Sequence, residues 1–250
     1  MNNSKLRILT YNIHKGFNVG NRRFVLHHIR EALIEINADL LCLQEIQGIH
    51  KKHQKNLAEW PKDSQAEFLA DGGWAYYAYG KNAVYRNGHH GNAILSKHPL
   101  ASWENINVSP YSWASRSLLH GIIHLGEKQT AVHVVCVHFG LSESERKLQT
   151  QTLCKRIESH IPHDAPLIIA GDFNDWRGII SRYFHEHLQL QEVFQSTQGH
   201  HARTFPAWLP VLPMDRIYYR GLNLINCEQL KHLRWRSLSD HAPLTASFQL

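Results

Sequence analysis

The sequence contains few cysteines, and this scarcity narrows the class of protein. Cys42, Cys136, Cys154 and Cys227 stand far apart among 250 residues, and no C-x-x-C pair occurs. The pattern excludes a dense disulfide framework and a cysteine-rich zinc site, and it favours a reducing compartment. Two of the four, Cys42 and Cys136, lie within apolar runs and are expected in the core.

Long apolar runs are also missing. No stretch reaches the roughly 18 apolar residues of a membrane-spanning helix. The N-terminal residues lack the apolar centre of a signal peptide. We therefore expect a cytoplasmic protein without a transmembrane segment, for which peripheral contact with a membrane stays open.

Several familiar enzyme motifs do not occur. The chain has no Gly-rich nucleotide-binding motif, no G-x-S-x-G elbow and no H-E-x-x-H pair. Nucleotide-cofactor, serine-hydrolase and zinc-protease functions therefore lose their main sequence support. The hydrophobic fraction of 43% and the charged fraction of 19% are ordinary for a globular protein and exclude disorder. The length predicts a single domain over residues 1–250.

Positive charge is in moderate excess. The chain has 27 Lys and Arg residues against 21 Asp and Glu, a net charge of +6, and 20 histidines that add charge below pH 7. The excess favours anionic partners such as nucleic acid, phosphate esters or acidic lipid, and no obligate protein partner is inferred. Residues 203–236 are basic and aromatic together. In most of that segment the charges are expected to face solvent and the aromatic rings to be buried. The loop at residues 203–208 could instead bind single-stranded nucleic acid or lipid headgroups.

Hydrophobic periodicity predicts helices at residues 22–37, 61–70, 142–160 and 176–187. The third has an S-x-x-E capping box at Ser142 and Glu145. Strands are predicted at residues 6–11, 39–44, 74–79, 92–96, 102–108, 117–125, 130–137, 166–170, 215–219, 222–230 and 244–248, and residues 51–62 are expected to be irregular. This succession indicates an α/β fold with two packed sheets flanked by helices.

Chemistry-bearing residues gather just beyond apolar strands or just before them. They are Asn12, Glu45, His138, Asp172, Asn174, Asp215, Asp240 and His241. Strand ends that converge on one edge of a sheet are a common place for a catalytic cluster. Carboxylates with amides suit Mg²⁺, or alternatively Mn²⁺, better than zinc. A metal so held, beside His and Asn, is suited to phosphoester hydrolysis.

Seven short blocks occur in a fixed order along the chain. They are LTYNIH at 9–14, LQE at 43–45, GNAILS at 91–96, VHF at 137–139, GDFN at 171–174, DRI at 215–217 and SDHAPL at 239–244. Together they resemble the endonuclease/exonuclease/phosphatase (DNase I-like) superfamily, and segments 88–93 and 171–176 are similar to bacterial members of the YbhP type. The resemblance implies a four-layered α/β sandwich of two packed mixed sheets. It also implies a Mg²⁺-dependent phosphoesterase that uses in-line attack by water.

The resemblance assigns the metal and the water to one group of residues. Glu45 is implied as the principal metal ligand, with Asn12 and Asp240 as further ligands. Asp172 would orient or deprotonate the attacking water, and Asn174 would hold a phosphate oxygen. For Asn12 the alternative of capping the turn after the first strand stays open.

A second group is implied to act on the phosphate. His241 would contact the scissile phosphate, with Asp215 accepting its other ring N–H. His138 would be a second phosphate contact or a general acid. Arg116 and Asn92 are candidate substrate-binding residues. For Asp215 the alternative is a surface ion pair with the neighbouring Arg216.

Departures from the family pattern bear on the substrate. His138 stands where abasic-site endonucleases carry tyrosine, and His14 stands where they carry Asp, so that subgroup is disfavoured. No acid occurs between Asp71 and Glu104, so the carboxylate partner that DNase I-like members supply to the histidine is expected to be absent.

Three classes of phosphate-ester substrate stay open: a lipid headgroup, an inositol phosphate and nucleic acid. The alternative functions are a DNA or RNA endo- or exonuclease and, from another class, a non-catalytic phosphate- or lipid-binding module.

Overall fold

Two six-stranded sheets form the centre of the computed structural model, which describes residues 5–109 and 115–250. In order of pairing, the first sheet contains β11 (Asn223–Gln229), β12 (Leu244–Gln249), β1 (Lys5–Asn12), β2 (Leu40–His50), β4 (Gly88–Ser96) and β3 (Tyr76–Tyr85). The second sheet contains β5 (Leu100–Asn107), β6 (Ser117–Leu125), β7 (Thr130–His138), β8 (Leu167–Asp172), β10 (Asp215–Arg220) and β9 (Gln191–Glu192). The pairs β1–β2 and β7–β8 are parallel and the other pairs are antiparallel, so both sheets are mixed as predicted.

Helices lie between the strands along the chain. Within the described residues they are α1 (Leu26–Ile36), α2 (Lys51–Asn56), α3 (Gln65–Ala70), α4 (Glu143–His160), α5 (Ile179–Leu188), α6 (Val193–Gln198) and α7 (Trp235–Leu238). The longest, α4, begins with the predicted capping box. Glu145 N donates to Ser142 Oγ at 3.2 Å, and Ser142 N donates to the Glu145 carboxylate at 3.2 Å. Both orphan donors of the first turn are thereby satisfied.

Alternation along the strands divides the core into three apolar layers. On β2, Cys42 faces the other sheet, whereas Leu41 and Leu43 face the outer helices. The middle layer between the sheets includes Leu6, Ile8, Cys42, Ile94, Leu119, Val134, Cys136 and Ile168, all fully buried. The outer layers pack α1, α3 and α7 on the first sheet, and α4 and α5 on the second. The order helix, sheet, sheet, helix confirms the predicted fold class.

Two of the predicted boundaries differ near the N-terminus. The helix predicted at residues 22–37 begins only at Leu26, because Phe17 and Phe24 form an isolated β-bridge that keeps the preceding chain extended. Residues 51–62, predicted as irregular, contain α2. Its start is capped by His50 Nδ1, which accepts from His53 N at 3.1 Å.

Strand β2 also differs from its prediction. It does not end at Gln44 but continues to His50, and its register against β4 shifts between Leu43 and Ile46. Glu45 sits in that bulge with a φ of 58°. Bulges re-aim side chains next to active sites. The three short elements α6, α7 and β9 were not predicted. No helix in the described ranges has both the length and the apolar character to cross a membrane.

Candidate active site

The second sheet brings three predicted site residues into one row. In the register of β7, β8 and β10, Asp172 lies opposite His138 on one side and Asp215 on the other. Residues paired across neighbouring strands have Cβ atoms about 5 Å apart. The row therefore places an imidazole and two carboxylates side by side at the strand ends, as the sequence predicted.

Asp172 is the centre of this row. Its Oδ1 accepts from Asn174 N at 3.0 Å, and its Oδ2 accepts from Asn12 Nδ2 at 3.2 Å. The imidazole nitrogens of His138 and His241 lie 3.6 and 3.8 Å from Oδ2. Burial raises the pKa of Asp172 to about 7, with His241 opposing the rise and Asp215 adding to it. A carboxyl group of this pKa can accept a proton near neutral pH.

His241 is paired with Asp215. Its Nδ1–H donates to Asp215 Oδ2 at 2.7 Å, which fixes the tautomer and leaves Nε2 facing Asp172. Burial would lower the pKa of His241, but the carboxylates of Asp215 and Asp172 raise it to about 10. The imidazole is therefore a cation at neutral pH. Phe205 packs on it with ring centroids 5.0 Å apart. We call Asp172, Asp215 and His241 the closed half of the site.

Strand β2 and the segment before β12 supply two further carboxylates, each paired with a basic side chain from one turn of 3-10 helix, His14–Gly16. Glu45 Oε2 lies 3.0 Å from Lys15 Nζ, and Asp240 Oδ2 lies 3.1 Å from His14 Nδ1. Burial alone would raise the pKa of Glu45, but the positive charges of His138 in its protonated form, Lys15 and His14 lower it to about 2. Burial alone would also raise the pKa of Asp240, but the hydrogen bond with His14 lowers it. We call Glu45 and Asp240, with His14 and Lys15, the open half.

Asn12 joins the two halves. Its Oδ1 accepts from His14 N at 3.1 Å, and its Nδ2 donates to Asp172. The first bond fits the turn-capping alternative. The second places Asn12 against the row of His138, Asp172 and Asp215, which that alternative does not require. Asn12 therefore caps the turn and contacts Asp172 at the same time, and its role as a metal ligand stays a prediction.

The tightest potential metal cluster among the described residues is not the predicted set. It consists of Asp172, Asp215 and His241, whose ligand atoms lie within 4.8 Å of one another. Because Asp215 and His241 are already hydrogen-bonded to each other, we interpret this cluster as a His–Asp pair facing a carboxylate. The open half fits a divalent cation better, since its acids are balanced only by Lys15 and His14. Glu45 Oε2 is buried and, within residues 5–109 and 115–250, makes no hydrogen bond besides its ion pair.

Three predicted site residues donate hydrogen bonds to main-chain carbonyl groups. Arg116 Nε and Asn174 Nδ2 both donate to Phe139 O, at 3.2 and 3.0 Å. Asn92 on β4 donates to Ser117 O at 3.0 Å, while its Oδ1 is buried without a partner in the described part of the chain. The roles of Arg116, Asn174 and Asn92 toward a phosphate stay predictions.

His138 is neutral. Burial, then the positive charge of Arg116, holds its pKa well below the usual value. Its Nε2 lies 3.6 Å from Asp172 Oδ2, and the expected absence of a carboxylate partner between residues 71 and 104 stays a prediction. Neutral His138 contrasts with cationic His241 across the same carboxylate.

Some site residues were missed by sequence reasoning. Lys15 was not singled out, although it stands beside His14 in the first block. His90 was not among the candidate site residues named above either. Burial, then Lys15, lowers its pKa to about 4, and its Nδ1 has no partner among the described residues. A histidine directly before the GNAILS block was the available signal.

The position of Arg216 corrects the alternative interpretation of Asp215. The alternative that Asp215 forms a surface pair with Arg216 is wrong, because Arg216 is fully buried and pairs with Asp175 at 3.1 Å. Asp175 is buried as well and directly follows Asn174. The ion pair therefore connects the segment after β8 with the start of β10, behind the closed half.

The chain matches known proteins along nearly its whole length. A model of the "Endonuclease/Exonuclease/phosphatase family" matches residues 9–241. The "Uncharacterized protein YbhP" of Escherichia coli is 43% identical over 244 residues, which are 98% of this chain and 96% of that protein. The crystal structure of an endonuclease/exonuclease/phosphatase from Beutenbergia cavernae superposes with a TM-score of 0.81 at 17% identity, covering 98% of this chain and 72% of that one. D. rerio TDP2 complexed with a single-strand DNA product has a TM-score of 0.68 at 18% identity, covering 99% and 100%. These matches confirm the predicted family resemblance and the DNase I-like fold.

Proposed function

Because the chain belongs to the endonuclease/exonuclease/phosphatase family, we propose that it hydrolyses phosphate esters with the help of a divalent cation, Mg²⁺ or Mn²⁺. The observation that carries the proposal is the pairing of two unlike halves. A buried carboxyl group with a pKa of about 7 faces an imidazole with a pKa of about 10, and two carboxylates with lowered pKa values lie beside them.

The open half suits the cation. Glu45, Asp240 and Asn12 would hold it through oxygen atoms, the ligands that hard divalent cations prefer. When bound there, the ion neutralises negative charge on the phosphate oxygens. Lys15 and His14, whose side chains are 35% and 16% exposed, would give up their partners when the ion binds.

Asp172 is the proposed group that orients and deprotonates the attacking water. Asn12 and Asn174 each donate to one of its oxygens and so fix the plane of the carboxylate. Its raised pKa makes it a stronger base than an ordinary Asp, while a useful fraction is still ionised at neutral pH.

His241 is the proposed electrostatic contact to the reacting phosphate. Asp215 holds its Nδ1, so Nε2–H is the donor available to a phosphate oxygen. Its positive charge would stabilise the charge that develops in the pentavalent transition state. Asn174, Arg116 and neutral His138 would complete the phosphate pocket, with His138 able to donate or relay a proton.

The test is turnover of bis-p-nitrophenyl phosphate, plasmid and single-stranded DNA, RNA and mixed phospholipids, with Mg²⁺ or Mn²⁺ and with EDTA. Glu45→Gln, Asp172→Asn and His241→Ala should each lower metal-dependent turnover by about a thousandfold or more. Glu104→Gln, at a surface ion pair with Arg156, is the matched control and should keep full activity.

Two results would contradict the proposal. One is wild-type turnover in any of the three site variants. The other is a folded wild-type protein that turns over nothing on the panel yet binds phosphate, which would favour the non-catalytic binding module. Cutting of DNA or RNA that is lost in Glu45→Gln would identify the enzyme as a nuclease.

A further inference from the structure

One loop beside the site holds apolar side chains out into solvent. In residues 203–212, which we call the rim loop, Trp208, Leu209 and Val211 are 58%, 55% and 48% exposed. The loop is closed by main-chain hydrogen bonds. Thr204 N and Phe205 N donate to Leu212 O, and Val211 N and Leu212 N donate to Phe205 O, at 2.8 to 3.0 Å. The projection is therefore built into the loop, and clustered exposed apolar groups mark interaction sites.

The rim loop is attached directly to the catalytic residues. Ala207 N donates to Asp240 O at 2.7 Å, and Ala242 N donates to Thr204 O at 2.8 Å. Phe205 packs on His241. Whatever the tip of the loop contacts is thereby brought next to the active site.

A basic basin adjoins the tip. Arg203, Pro210 and Lys231 line a cavity of about 660 Å³ together with His200, Glu228 and Gln229. Pro210 lies between the exposed Leu209 and Val211, so the basin and the apolar tip are continuous. Gln229 donates to the main chain of Arg203 and fixes that side of the basin. Two permanent cations against one acid suit an anionic group.

The side chains of the tip favour one of two anionic partners, a lipid bilayer, over the other, a single strand of nucleic acid. Bases of a single strand stack on aromatic rings, and the tip offers one such ring. Leucine and valine cannot stack, but they gain from burial in the acyl boundary of a bilayer, where tryptophan also prefers to lie. Cations beside such an apolar tip are attracted to anionic headgroups.

We propose that the rim loop docks the protein on the surface of an anionic lipid bilayer. Trp208, Leu209 and Val211 enter the headgroup boundary, and Arg203 and Lys231 receive headgroup phosphates in the basic basin. The docked protein has its active site beside the membrane. The proposal concerns binding and does not depend on the proposed phosphoesterase activity.

The test is co-sedimentation of the full chain with vesicles of phosphatidylcholine, alone or mixed with phosphatidylglycerol. Wild-type protein should bind the mixed vesicles, and the double variant Trp208→Glu/Leu209→Glu should bind about tenfold more weakly. Arg203→Gln/Lys231→Gln should lose the preference for anionic vesicles, as should wild type at high salt. Trp103→Glu, which changes a 51% exposed tryptophan on β5, is the matched control and should bind as wild type does.

Turnover of bis-p-nitrophenyl phosphate should be the same in all these variants, so a failure of docking is separable from a failure of catalysis. Absence of wild-type binding to either vesicle would overturn the proposal, as would equal binding by Trp208→Glu/Leu209→Glu. Binding of single-stranded DNA that is weakened by the same double variant, without vesicle binding, would assign the rim loop to nucleic acid instead.

Discussion

Two ion pairs of nearly equal length support the two halves of the site, and they differ in burial. Asp175 and Arg216 are 3.1 Å apart, with side chains 1% and 0% exposed. Glu45 and Lys15 are 3.0 Å apart, with side chains 17% and 35% exposed. A sealed pair has lost its water and must keep its partner, whereas an open pair can exchange its partner for another cation at small cost. The first is suited to fixing geometry and the second to binding.

The sealed pair has the contacts of a structural clamp. Arg216 also donates to Tyr218 Oη at 3.3 Å and to Pro213 O at 3.2 Å, and it contacts the main chain of Asp175. Asp175 in turn accepts from Ile180 N at the start of α5. Asn174 and Asp215 lie one residue away from the pair on the two segments it joins. The clamp therefore sets their spacing.

The open pair rests on a strained turn. His14, Lys15 and Gly16 have φ values of 47°, 58° and 79°. Left-handed backbone is uncommon for residues other than glycine, and it persists where the surroundings determine it. Here the main chain of the turn is held by hydrogen bonds from His14 N to Asn12 Oδ1 and from Gln65 Nε2 to Lys15 O. The turn thereby presents the side chains of His14 and Lys15 to Asp240 and Glu45.

The largest effect is expected at the sealed pair. Arg216→Met should lower the free energy of unfolding by about 3–5 kcal/mol, because it leaves the Asp175 carboxylate buried and uncompensated. Urea denaturation of the purified variant measures the change. Arg156→Met is the matched control, since its partner Glu104 is 58% exposed; it should cost about 1 kcal/mol or less. Equal costs in the two variants would show that Asp175 and Arg216 are not a sealed pair in solution.

The pH dependence of turnover tests the charges assigned to the closed half. Asp172 must be ionised to accept a proton, so kcat/KM should fall as pH drops below about 7. His241 must be protonated to act as a cation, so kcat/KM should fall as pH rises above about 10. Outside the window each limb changes about tenfold per pH unit.

Asp215→Asn separates the two limbs of that profile. It removes the carboxylate that raises the pKa of His241, so the alkaline limb should move to lower pH while the acid limb stays within about one unit. An alkaline limb that does not move would mean that a group other than His241 titrates there.

The sequence predicted the helices and strands better than the side-chain contacts between distant segments. Apolar alternation located β6 at its observed bounds, and the capping box located the start of α4. The ends of β1, β7 and β8 placed Asn12, His138 and Asp172 together, because register follows from the buried face. These predictions rest on local patterns that tertiary contacts did not override.

The missed features depend on contacts distant in sequence. The alternative of a surface pair between Asp215 and Arg216 arose because a charged residue is usually exposed, whereas the buried partner of Arg216 stands 41 residues earlier. The bulge at Glu45 extends β2 past an apparent strand end. Lys15 points at Glu45 only because the turn before it is left-handed, and no periodicity reports a positive φ.

The smallest effect is expected at the open pair. Lys15→Met should strengthen binding of Mn²⁺ by about tenfold or less, because it removes a half-exposed cation that competes for Glu45. Isothermal titration calorimetry measures the affinity without reference to turnover. Lys97→Met is the matched control, since Lys97 pairs with Asp39 just before the start of β2, and this variant should leave the affinity unchanged. Weaker binding in Lys15→Met would mean that Lys15 positions Glu45 for the ion, and the open pair would then be as structural as the sealed one.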